Sequence, residues 1–561
     1  MDSDRLTRHS LPGWAPPVLV ALITAATFLP ALQNGFVDYD DPENFLANPH
    51  YRGLGPAQLK WMFTTFHMGI YVPLAWVTLG LDYALWGMNP VGYHLTNLVF
   101  HVVNAVLVYF VALRLLRAAG TDGEPAELGL RLGAGFAASV FAIHPLRVES
   151  VAWVTERRDV VSGFFFLVAI LAYLRFCRPG PGETGKRPGW YWASLGACFL
   201  ALLSKPSTVG LPVVLVALDA YPLRRLGEGR RVWVEKIPFA VLAGGVALAT
   251  LLGMSGIGMA TPLSVLGIPE RLASSSYSLV FYLRKTLVPQ GLAPLYQLRL
   301  PVEPWSQKFL LSGALVAAIT TAAAAWRRRW PALGVAWITY VAMLLPVVGL
   351  WQHGAHFAAD RFSYLACLGW AVLAGGGLAW SLGRRRAAPV VALVASVVVV
   401  ILAVLTSQQV RVWRDSVTLW THAASVEPSS PIVANNLMVA LLADGRIAEA
   451  HALFKRTIPD LRGRRRTRWF FTMAAALQAN GDVDDAGRYY QEVIALDPNN
   501  EEVWNNLGAV YATRGETSRA LEAFLRALEI NPRYEAACEN GRRAAQIVGV
   551  TPAVLEGCGA K

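Results

Sequence analysis

Long apolar runs alternate with short polar segments over the first two thirds of the chain, and this pattern predicts a series of membrane-spanning helices. Most runs are long enough to cross the hydrocarbon core as a helix. We place about eleven spans, at residues 14–33, 93–113, 132–144, 160–176, 190–204, 208–222, 237–256, 309–326, 332–350, 363–382 and 388–406. We expect the stretch 277–288 to be interfacial or re-entrant, because counting it as a span would put the basic residues Arg327, Arg328 and Arg329 on the outer face of the membrane.

Basic residues fall on alternate connections between these spans. The clusters are Arg5/Arg8, Arg114/Arg117/Arg131, Arg175/Arg178/Lys186/Arg187, Arg224/Arg225/Arg230/Arg231/Lys236, Arg327/Arg328/Arg329 and Arg384/Arg385/Arg386. Because short cytoplasmic loops are enriched in arginine and lysine, this face is assigned to the cytoplasm. The N-terminus is then inside and the C-terminus outside. The run from Trp14 to Leu32 lacks a small-residue cleavage site and reads as an uncleaved first span.

Beyond about residue 407 the pattern changes to that of tetratricopeptide (TPR) repeats. Residues 504–511 read W-x2-L-G-x2-Y, and Gly515, Ala520, Phe524 and Pro532 follow them. The matching residues Gly481, Ala486, Tyr490 and Pro498 stand 34 positions earlier. We therefore predict an all-α chain: a multispan membrane domain over 1–406, and an extracytoplasmic TPR α-solenoid over 407–561 with about three repeats and a capping half-repeat.

Composition narrows the class of protein. Of 561 residues, 54% are hydrophobic and only 16% are charged, well below the share in soluble domains. The net charge of +12 comes largely from the loop clusters, so we predict no nucleic-acid partner. The five cysteines, Cys177, Cys198, Cys367, Cys538 and Cys558, include no C-x-x-C. We expect neither a disulfide framework nor a zinc site.

The first outer loop carries four carboxylates, Asp38, Asp40, Asp41 and Glu43. A carboxylate at a membrane face can act as general base for a hydroxyl acceptor. Asp40 and Asp41 could instead hold a divalent cation such as Mg²⁺ or Mn²⁺ against a phosphate. A solvated loop or a helix cap is the alternative, and for Glu43, directly after Pro42, a helix-start role is the ordinary explanation.

A second polar segment runs from His144 to Asp159. If residues 148–159 are helical, Glu149, Trp153, Glu156 and Arg157 share a face. Arginine is a natural partner for a phosphate or diphosphate head group. Salt bridges at the interface, with Trp153 as an anchor, are the alternative.

Other polar residues flank later spans. Lys205 follows the fifth span, and Asp360 and Arg361 precede the tenth, in an outer loop that also carries His353 and His356. These cations could bind a lipid phosphate, but snorkelling and an internal Asp–Arg pair are equally open. The candidates for lipid-phosphate or substrate binding are His144, Arg147, Glu149, Glu156, Arg157, Lys205, Asp360 and Arg361. For Asn97, His101 and Asn104 we favour hydrogen bonds between helices.

Several motifs together resemble the transmembrane-and-TPR protein O-mannosyltransferase family and its bacterial relatives. They are F-V-x-x-D-D (36–41) with N-P at 48–49, Y-x-P-L (71–74), G-Y-H-L-x-N (92–97), H-P-x-x-V-E-S-V-A-W-x-x-E-R-x-D (144–159), K-P (205–206) and A-D-R-x-x-Y-L (359–365), ahead of the TPR repeats. The resemblance implies a GT-C type glycosyltransferase that uses a polyprenyl-phosphate sugar on the extracytoplasmic side. It implies Asp40 or Asp41 as the base, with Asp38 behind them, and phosphate or acceptor contacts from Arg147, Glu149, Glu156 and Arg361.

The predicted function is therefore inverting transfer of a sugar, with mannose as the candidate, from a polyprenyl-phosphate carrier to a hydroxyl acceptor. The acceptor would be a protein or peptide Ser or Thr held in the TPR groove. A membrane-anchored TPR scaffold without catalysis is the main alternative, although one span would suffice to anchor it. A lipid-linked sugar flippase is less consistent with charges at the mouths of spans. The Ala-, Gly- and Arg-rich composition favours a bacterial inner membrane over the endoplasmic reticulum.

Overall fold

A computed structural model describes residues 12–120, 127–178, 188–256, 261–350, 356–384, 386–550 and 552–556. Seven residues that enter the sequence predictions lie outside these ranges: Arg5, Arg8, Lys186, Arg187, His353, Arg385 and Cys558. Contacts divide the chain into residues 1–422 and residues 423–561. The division falls later than the predicted boundary at 406/407, because residues after 406 pack on the first outer loop. Trp420 Nε1, for example, donates to the Asp38 carbonyl at 3.0 Å.

The first unit is helical. Its α-helices are α1 (Ala15–Phe28), α2 (Pro56–Thr64), α3 (Pro73–Trp86), α4 (Pro90–Ala119), α5 (Glu127–Ala142), α6 (Val148–Ala152), α7 (Arg157–Cys177), α8 (Pro188–Ser204), α9 (Leu211–Ala220), α10 (Arg230–Val234), α11 (Ile237–Gly256), α12 (Ile268–Leu287), α13 (Gln307–Ala325), α14 (Pro331–Leu344), α15 (Ser363–Ala366), α16 (Leu368–Leu382), α17 (Ala388–Val412) and α18 (Ser416–Val426), the last of which crosses the boundary between the units. Short 3₁₀ helices cover Leu29–Gln33, His67–Gly69, Pro145–Arg147, Val154–Glu156, Pro206–Gly210 and Asp360–Phe362, and one π turn covers Pro42–Leu46. The strands β1 (Tyr296–Gln297) and β2 (His356–Ala358) pair antiparallel, with Tyr296 opposite Ala358.

Each of the eleven predicted spans coincides with a helix. Within the described residues, six helices are long and apolar enough to cross a membrane, or eight if each of two bent helix pairs counts as one span. The bends are 56° after α5 and 53° before α16. The predicted number exceeds this range because α8, α9 and α14, with 17, 10 and 14 residues, fall short of the roughly 20 residues that cross the hydrocarbon core. Helix α12 is not among the candidates, in keeping with the prediction that 277–288 does not span. The chain is a multi-pass membrane protein.

The packing between α5 and α16 depends on glycine. A Cβ built on Gly133 would lie 2.5 Å from the Gly375 carbonyl oxygen and 2.8 Å from the Ala379 Cβ. No side chain fits at such a distance, so the two backbones touch there. Small residues permit this approach, which is how many membrane helices associate without a hydrophobic driving force.

The second unit consists of paired helices. They are α19 (Pro431–Ala443), α20 (Ile447–Thr457), α21 (Gly463–Ala479), α22 (Val483–Leu496), α23 (Glu501–Thr513), α24 (Thr517–Ile530), α25 (Glu535–Val548) and α26 (Ala553–Glu556), with a 3₁₀ turn at Ile458–Asp460. Gly445, Gly481 and Gly515 end the first helix of three successive pairs with φ of 75°, 86° and 77°. Glycine adopts this left-handed conformation at little cost. The predicted three repeats are present.

One cysteine departs from prediction. Cys538 is disulfide-bonded, whereas Cys177, Cys198 and Cys367 are free. From the sequence we expected no disulfide framework and did not predict this bond. A disulfide needs only two Cα atoms about 6 Å apart in the fold, and the absence of C-x-x-C says nothing about that distance.

The α5–α16 contact gives a paired test. Gly375→Ala should destabilise the membrane domain by about 1–3 kcal/mol, because the added methyl overpacks a closed contact. Gly377→Ala, two residues along the same helix, meets no atom within 4 Å and should be neutral or slightly stabilising. Thermal midpoints of the two detergent-purified variants measure this. Equal midpoints would show that the two backbones are not in contact.

Candidate functional site

A break at Trp153 organises the polar residues of the second segment. The condition of a continuous helix over 148–159 is not met: Trp153 has extended dihedrals of φ −99° and ψ 123°, and it separates α6 from a 3₁₀ turn and from α7. Because of this break, Arg157 does not share a face with Glu149 and Glu156. The following residues, Arg158 and Asp159, join the cluster instead.

Glu156 lies at the centre of this cluster and its side chain is 0% exposed. Its Oε1 accepts hydrogen bonds from Arg158 Nη2 at 2.6 Å and lies 3.1 Å from Arg361 Nε. Its Oε2 accepts from Lys205 Nζ at 2.9 Å. One buried carboxylate therefore holds three cations that come from separate parts of the chain.

Two further carboxylates fix the same cations. Glu149 Oε2 accepts from the Arg361 backbone N–H at 2.8 Å, and its Oε1 pairs with Arg361 Nη1. Asp159 Oδ1 accepts from Lys205 Nζ at 2.7 Å, while its Oδ2 accepts from Ser150 Oγ at 3.0 Å. Glu149 and Glu156 thus orient cations, and each lies against arginine or lysine rather than facing open space.

Asp41 is buried and fully engaged. Its Oδ1 accepts from Trp153 Nε1 at 2.9 Å and from Thr155 Oγ1 at 2.7 Å, and its Oδ2 accepts from the Val37 backbone N–H at 2.9 Å. Burial raises the pKa of Asp41 from 3.8 to about 7, against the lowering effect of these three donors. Asp41 therefore ties the first outer loop to the segment around Trp153.

Asp40 is half-buried and differently placed. Among the described residues, none donates a hydrogen bond to its carboxylate. Burial raises its pKa, while the nearby guanidinium groups of Arg158 and Arg361 lower it. Of the carboxylates in this loop, Asp40 is the one that faces the cation cluster with free acceptor capacity.

Asp38 lies at the margin of the loop. Its backbone N–H donates to Ser416 Oγ at 2.7 Å, and its side chain is half-buried. Burial raises the pKa of Asp38, and the charge of Glu43 adds to this effect. Between Asp38 and Asp40, the Tyr39 ring stacks on Trp153 with centroids 4.7 Å apart.

Four other predicted site residues lie elsewhere. Arg157 donates to Asp82 Oδ2 at 2.5 Å and to the Tyr93 carbonyl at 2.8 Å, which places it in a separate buried pair. His144 Nδ1 accepts from the Leu146 backbone N–H at 3.2 Å and its Nε2 lies 3.0 Å from the Thr286 carbonyl, so it caps a turn. The other two are Arg147 and Asp360.

Arg147 and Asp360 are buried beside the cluster rather than in it. The Arg147 guanidinium lies over the Phe141 and Tyr364 rings, at 5.6 and 5.8 Å. Asp360 Oδ1 accepts from Tyr296 OH at 2.9 Å, which fastens the 3₁₀ turn that carries Arg361 to strand β1. Both residues support the elements that present Arg361.

A narrow cleft beside Lys205 and Arg361 has room for little more than a water molecule. Its polar side carries Asp159, Ser162 and Ser207, and its apolar side carries Met343, Val347, Phe362, Tyr364, Leu365 and Ala366. Two cations and an apolar wall thus border one cleft, and the cleft must widen to admit a larger anion.

The Asp40–Asp41 pair does not fit a metal ion. Three N–H and O–H donors converge on Asp41, and a cation would have to displace them. Within the described parts of the chain, no group of three or more His, Cys, Asp or Glu side chains is arranged to hold a metal.

Sequence reasoning missed Arg158, Asp159 and Tyr296 as members or supports of the cluster. Arg158 and Asp159 adjoin a predicted residue, and a helix break at Trp153 would have exposed their role. The pairing of Tyr296 with Asp360 joins residues far apart in the chain and has no local signal.

Comparisons with known proteins agree with the predicted resemblance. A tetratricopeptide repeat family model matches residues 471–535. The chain is 35% identical over 181 residues to protein O-mannosyl-transferase Tmtc1 of Drosophila melanogaster, covering 31% of this chain and 19% of that protein. It is 24% identical over 460 residues to protein O-mannosyl-transferase Tmtc3 of the same organism, covering 69% of this chain and 48% of that protein. The chain thus spans less than half the length of these relatives.

One solved structure is also similar, the crystal structure of ArnT from Cupriavidus metallidurans bound to undecaprenyl phosphate. It is 15% identical and has a TM-score of 0.36, covering 87% of this chain and 81% of that one. The sequence relatives and the repeat match confirm that this chain resembles the TPR-containing protein O-mannosyltransferases.

The buried Asp41 should be visible in the pH dependence of stability. Its pKa rises from 3.8 to about 7 on folding, so the folded state holds a proton that the unfolded state has lost over this interval. The stabilisation by that proton is complete below the lower value and is lost as the pH rises through the upper one.

Thermal midpoints at a series of pH values, for wild type and Asp41→Asn in detergent, test this. The wild-type midpoint should fall relative to that of the variant as the pH rises across the interval. Parallel curves would contradict a raised pKa at Asp41.

Proposed function

We propose that this protein is a glycosyltransferase that moves a sugar from a polyprenyl-phosphate carrier to a hydroxyl acceptor. The observation that carries the proposal is the position of Asp40, a carboxylate with free acceptor capacity that faces Arg361. Arg361 and Lys205 in turn border a cleft with an apolar wall. The names of the relatives favour mannose as the sugar and a protein as the acceptor.

The reaction is a single displacement. Asp40 takes the proton from the acceptor hydroxyl as its oxygen attacks the anomeric carbon of the sugar. The bond between that carbon and the phosphate oxygen breaks, and the phosphate leaves with the electron pair. One displacement inverts the anomeric centre. Because the leaving group is a phosphate, the site needs a base and a cation cradle more than a general acid.

Asp40 suits the role of base better than Asp41. A base needs a lone pair directed at the acceptor, whereas both oxygens of Asp41 already accept hydrogen bonds. We assign Asp41 and Asp38 to positioning the loop. The side chain of Tyr39, stacked on Trp153, fixes the loop between them.

Lys205 and Arg361 form the proposed phosphate cradle. Their charges are held in place by Glu149, Glu156 and Asp159, so the cations are oriented before the donor arrives. Preorganised cations stabilise developing charge without reorganisation during the reaction. The apolar wall of Met343, Val347 and Leu365 would receive the first isoprene units of the carrier.

This arrangement also explains why we favour an enzyme over a scaffold. An anchor for a TPR array needs a single span and no charges inside it. Here a buried carboxylate is surrounded by three cations, an arrangement that carries a large desolvation cost. Ionisable groups buried at the ends of membrane spans generally mark functional sites.

We propose that the site and the TPR repeats lie outside the cytoplasm, because the basic clusters fall on the loops of the opposite face. The disulfide at Cys538 supports this, because disulfides persist in oxidising compartments such as the periplasm. We propose a bacterial inner membrane with a periplasmic site. The TPR groove would hold an extended or helical segment of the protein acceptor.

Replacing the base tests the reaction. Asp40→Asn should lower kcat/KM about 10²–10⁴-fold, the usual share of general base catalysis. Transfer from radiolabelled polyprenyl-phosphate mannose to a Ser- and Thr-containing peptide is the measurement. Glu43→Gln is the matched control, because Glu43 is exposed in the same loop and its loss should leave the rate unchanged. Wild-type transfer by Asp40→Asn would exclude this residue as the base.

The pH profile identifies the titrating group. Only ionised Asp40 can accept a proton, so kcat/KM should fall as the pH drops through its pKa. Burial raises that pKa and the charge of Arg158 lowers it. Arg158→Gln should therefore shift the acid limb to higher pH, and Arg158→Lys, which keeps the charge, should leave it near the wild-type position. An acid limb that Arg158→Gln does not move would assign the titration to another group.

A further inference from the structure

The second unit carries an arginine cluster for which the proposed reaction has no use. Residues 455–468 contain Lys455, Arg456, Arg462, Arg464, Arg465, Arg466 and Arg468, with Asp460 as the one acidic residue of that segment. We call the five arginines from Arg462 to Arg468 the arginine patch. Four of them are exposed, and Arg466 is half-buried with its guanidinium 5.5 Å from the Phe470 ring centroid.

The patch sits where a helix least tolerates positive charge. It covers the first turns of α21, whose first turn contains no acidic residue and whose N-terminus has no side-chain cap. The positive end of the helix dipole lies there, and cations at this end destabilise a helix. Arg464 and Arg468, one turn apart, also repel each other.

Several other arginines of the same unit form ion pairs, whereas those of the patch form none within the part of the chain that the structure describes. Arg446 pairs with Glu449 at 2.7 Å, Arg519 with Glu516 at 2.5 Å and Arg526 with Glu529 at 2.6 Å. None of the described side chains forms an ion pair with any arginine of the patch. Arg462 donates to the Pro459 and Leu461 carbonyls, and five uncompensated positive charges remain clustered on seven consecutive residues, where an external anion could neutralise them.

We infer that the arginine patch binds anionic phospholipid head groups at the membrane surface. Guanidinium groups bind phosphate oxygens through two parallel hydrogen bonds, and a cluster of this size is sufficient for attraction to an anionic leaflet. The chain itself favours a membrane partner over a soluble acidic one, because α17, an apolar helix of spanning length, ends at Val412 and precedes the patch in the chain. This inference does not depend on the proposed reaction.

Trypsin accessibility of the full-length protein in nanodiscs tests the inference. Cleavage after the patch arginines is compared between pure phosphatidylcholine discs and discs in which about a third of the lipid is phosphatidylglycerol. We expect cleavage to slow about tenfold in the anionic discs and to recover at high salt, as expected of a screened electrostatic contact. Cleavage after the exposed Arg533 and Arg543 is the internal control and should be equal in both.

Two variants sharpen the test. Arg464→Glu combined with Arg465→Glu should remove the protection of the remaining patch arginines. Arg464→Lys combined with Arg465→Lys keeps both charge and trypsin sites and should retain most of it. Equal cleavage of the wild-type patch in both kinds of disc would overturn the inference. Protection by added polyglutamate, without protection by anionic lipid, would overturn it in favour of an acidic polypeptide partner.

Discussion

The buried carboxylate of Glu156 imposes the constraint on which the site depends. A charge excluded from solvent is costly unless oppositely charged groups surround it, and Arg158, Lys205 and Arg361 do so. These cations come from the start of α7, the end of α8 and the turn before α15. Satisfying one carboxylate therefore draws together segments that are distant in sequence. Removal of any one partner would leave uncompensated charge, at a typical cost of about 3–5 kcal/mol.

The two adjacent aspartates of the first outer loop, Asp40 and Asp41, have different roles in this arrangement. Both carboxylate oxygens of Asp41 accept hydrogen bonds, which hold the first outer loop against Trp153 and Thr155. Asp40 then lies near the guanidinium groups of Arg158 and Arg361. The proposed reaction needs a carboxylate to accept the proton and preorganised cations to stabilise the departing phosphate, and both lie here beside an apolar wall. The loop and the cation cluster are thus two halves of one proposed site, joined by the indole of Trp153.

Much of this could be read from the sequence. Apolar run length located every spanning helix, and the repeat period located the TPR pairs, because both depend on local periodicity. The sequence also indicated Asp40, Glu149, Glu156, Lys205 and Arg361 as candidates, since charges at the ends of spans are conspicuous. Local pattern could not show the extended Trp153, which turned Arg157 toward Asp82 and brought in Arg158 and Asp159. It also could not distinguish a cation that lines a pocket from Arg147, which is buried on Phe141 and Tyr364.

A structure of the protein in nanodiscs with a bound polyprenyl phosphate would test the central claim most directly. The account predicts the phosphate within hydrogen-bonding distance of Lys205 Nζ and the Arg361 guanidinium, with the isoprene chain along Met343 and Val347 and Asp40 facing the phosphate. Glu156 should keep its contacts with all three cations. A phosphate bound away from Lys205 and Arg361, or one that contacts Arg157 in place of them, would contradict the account.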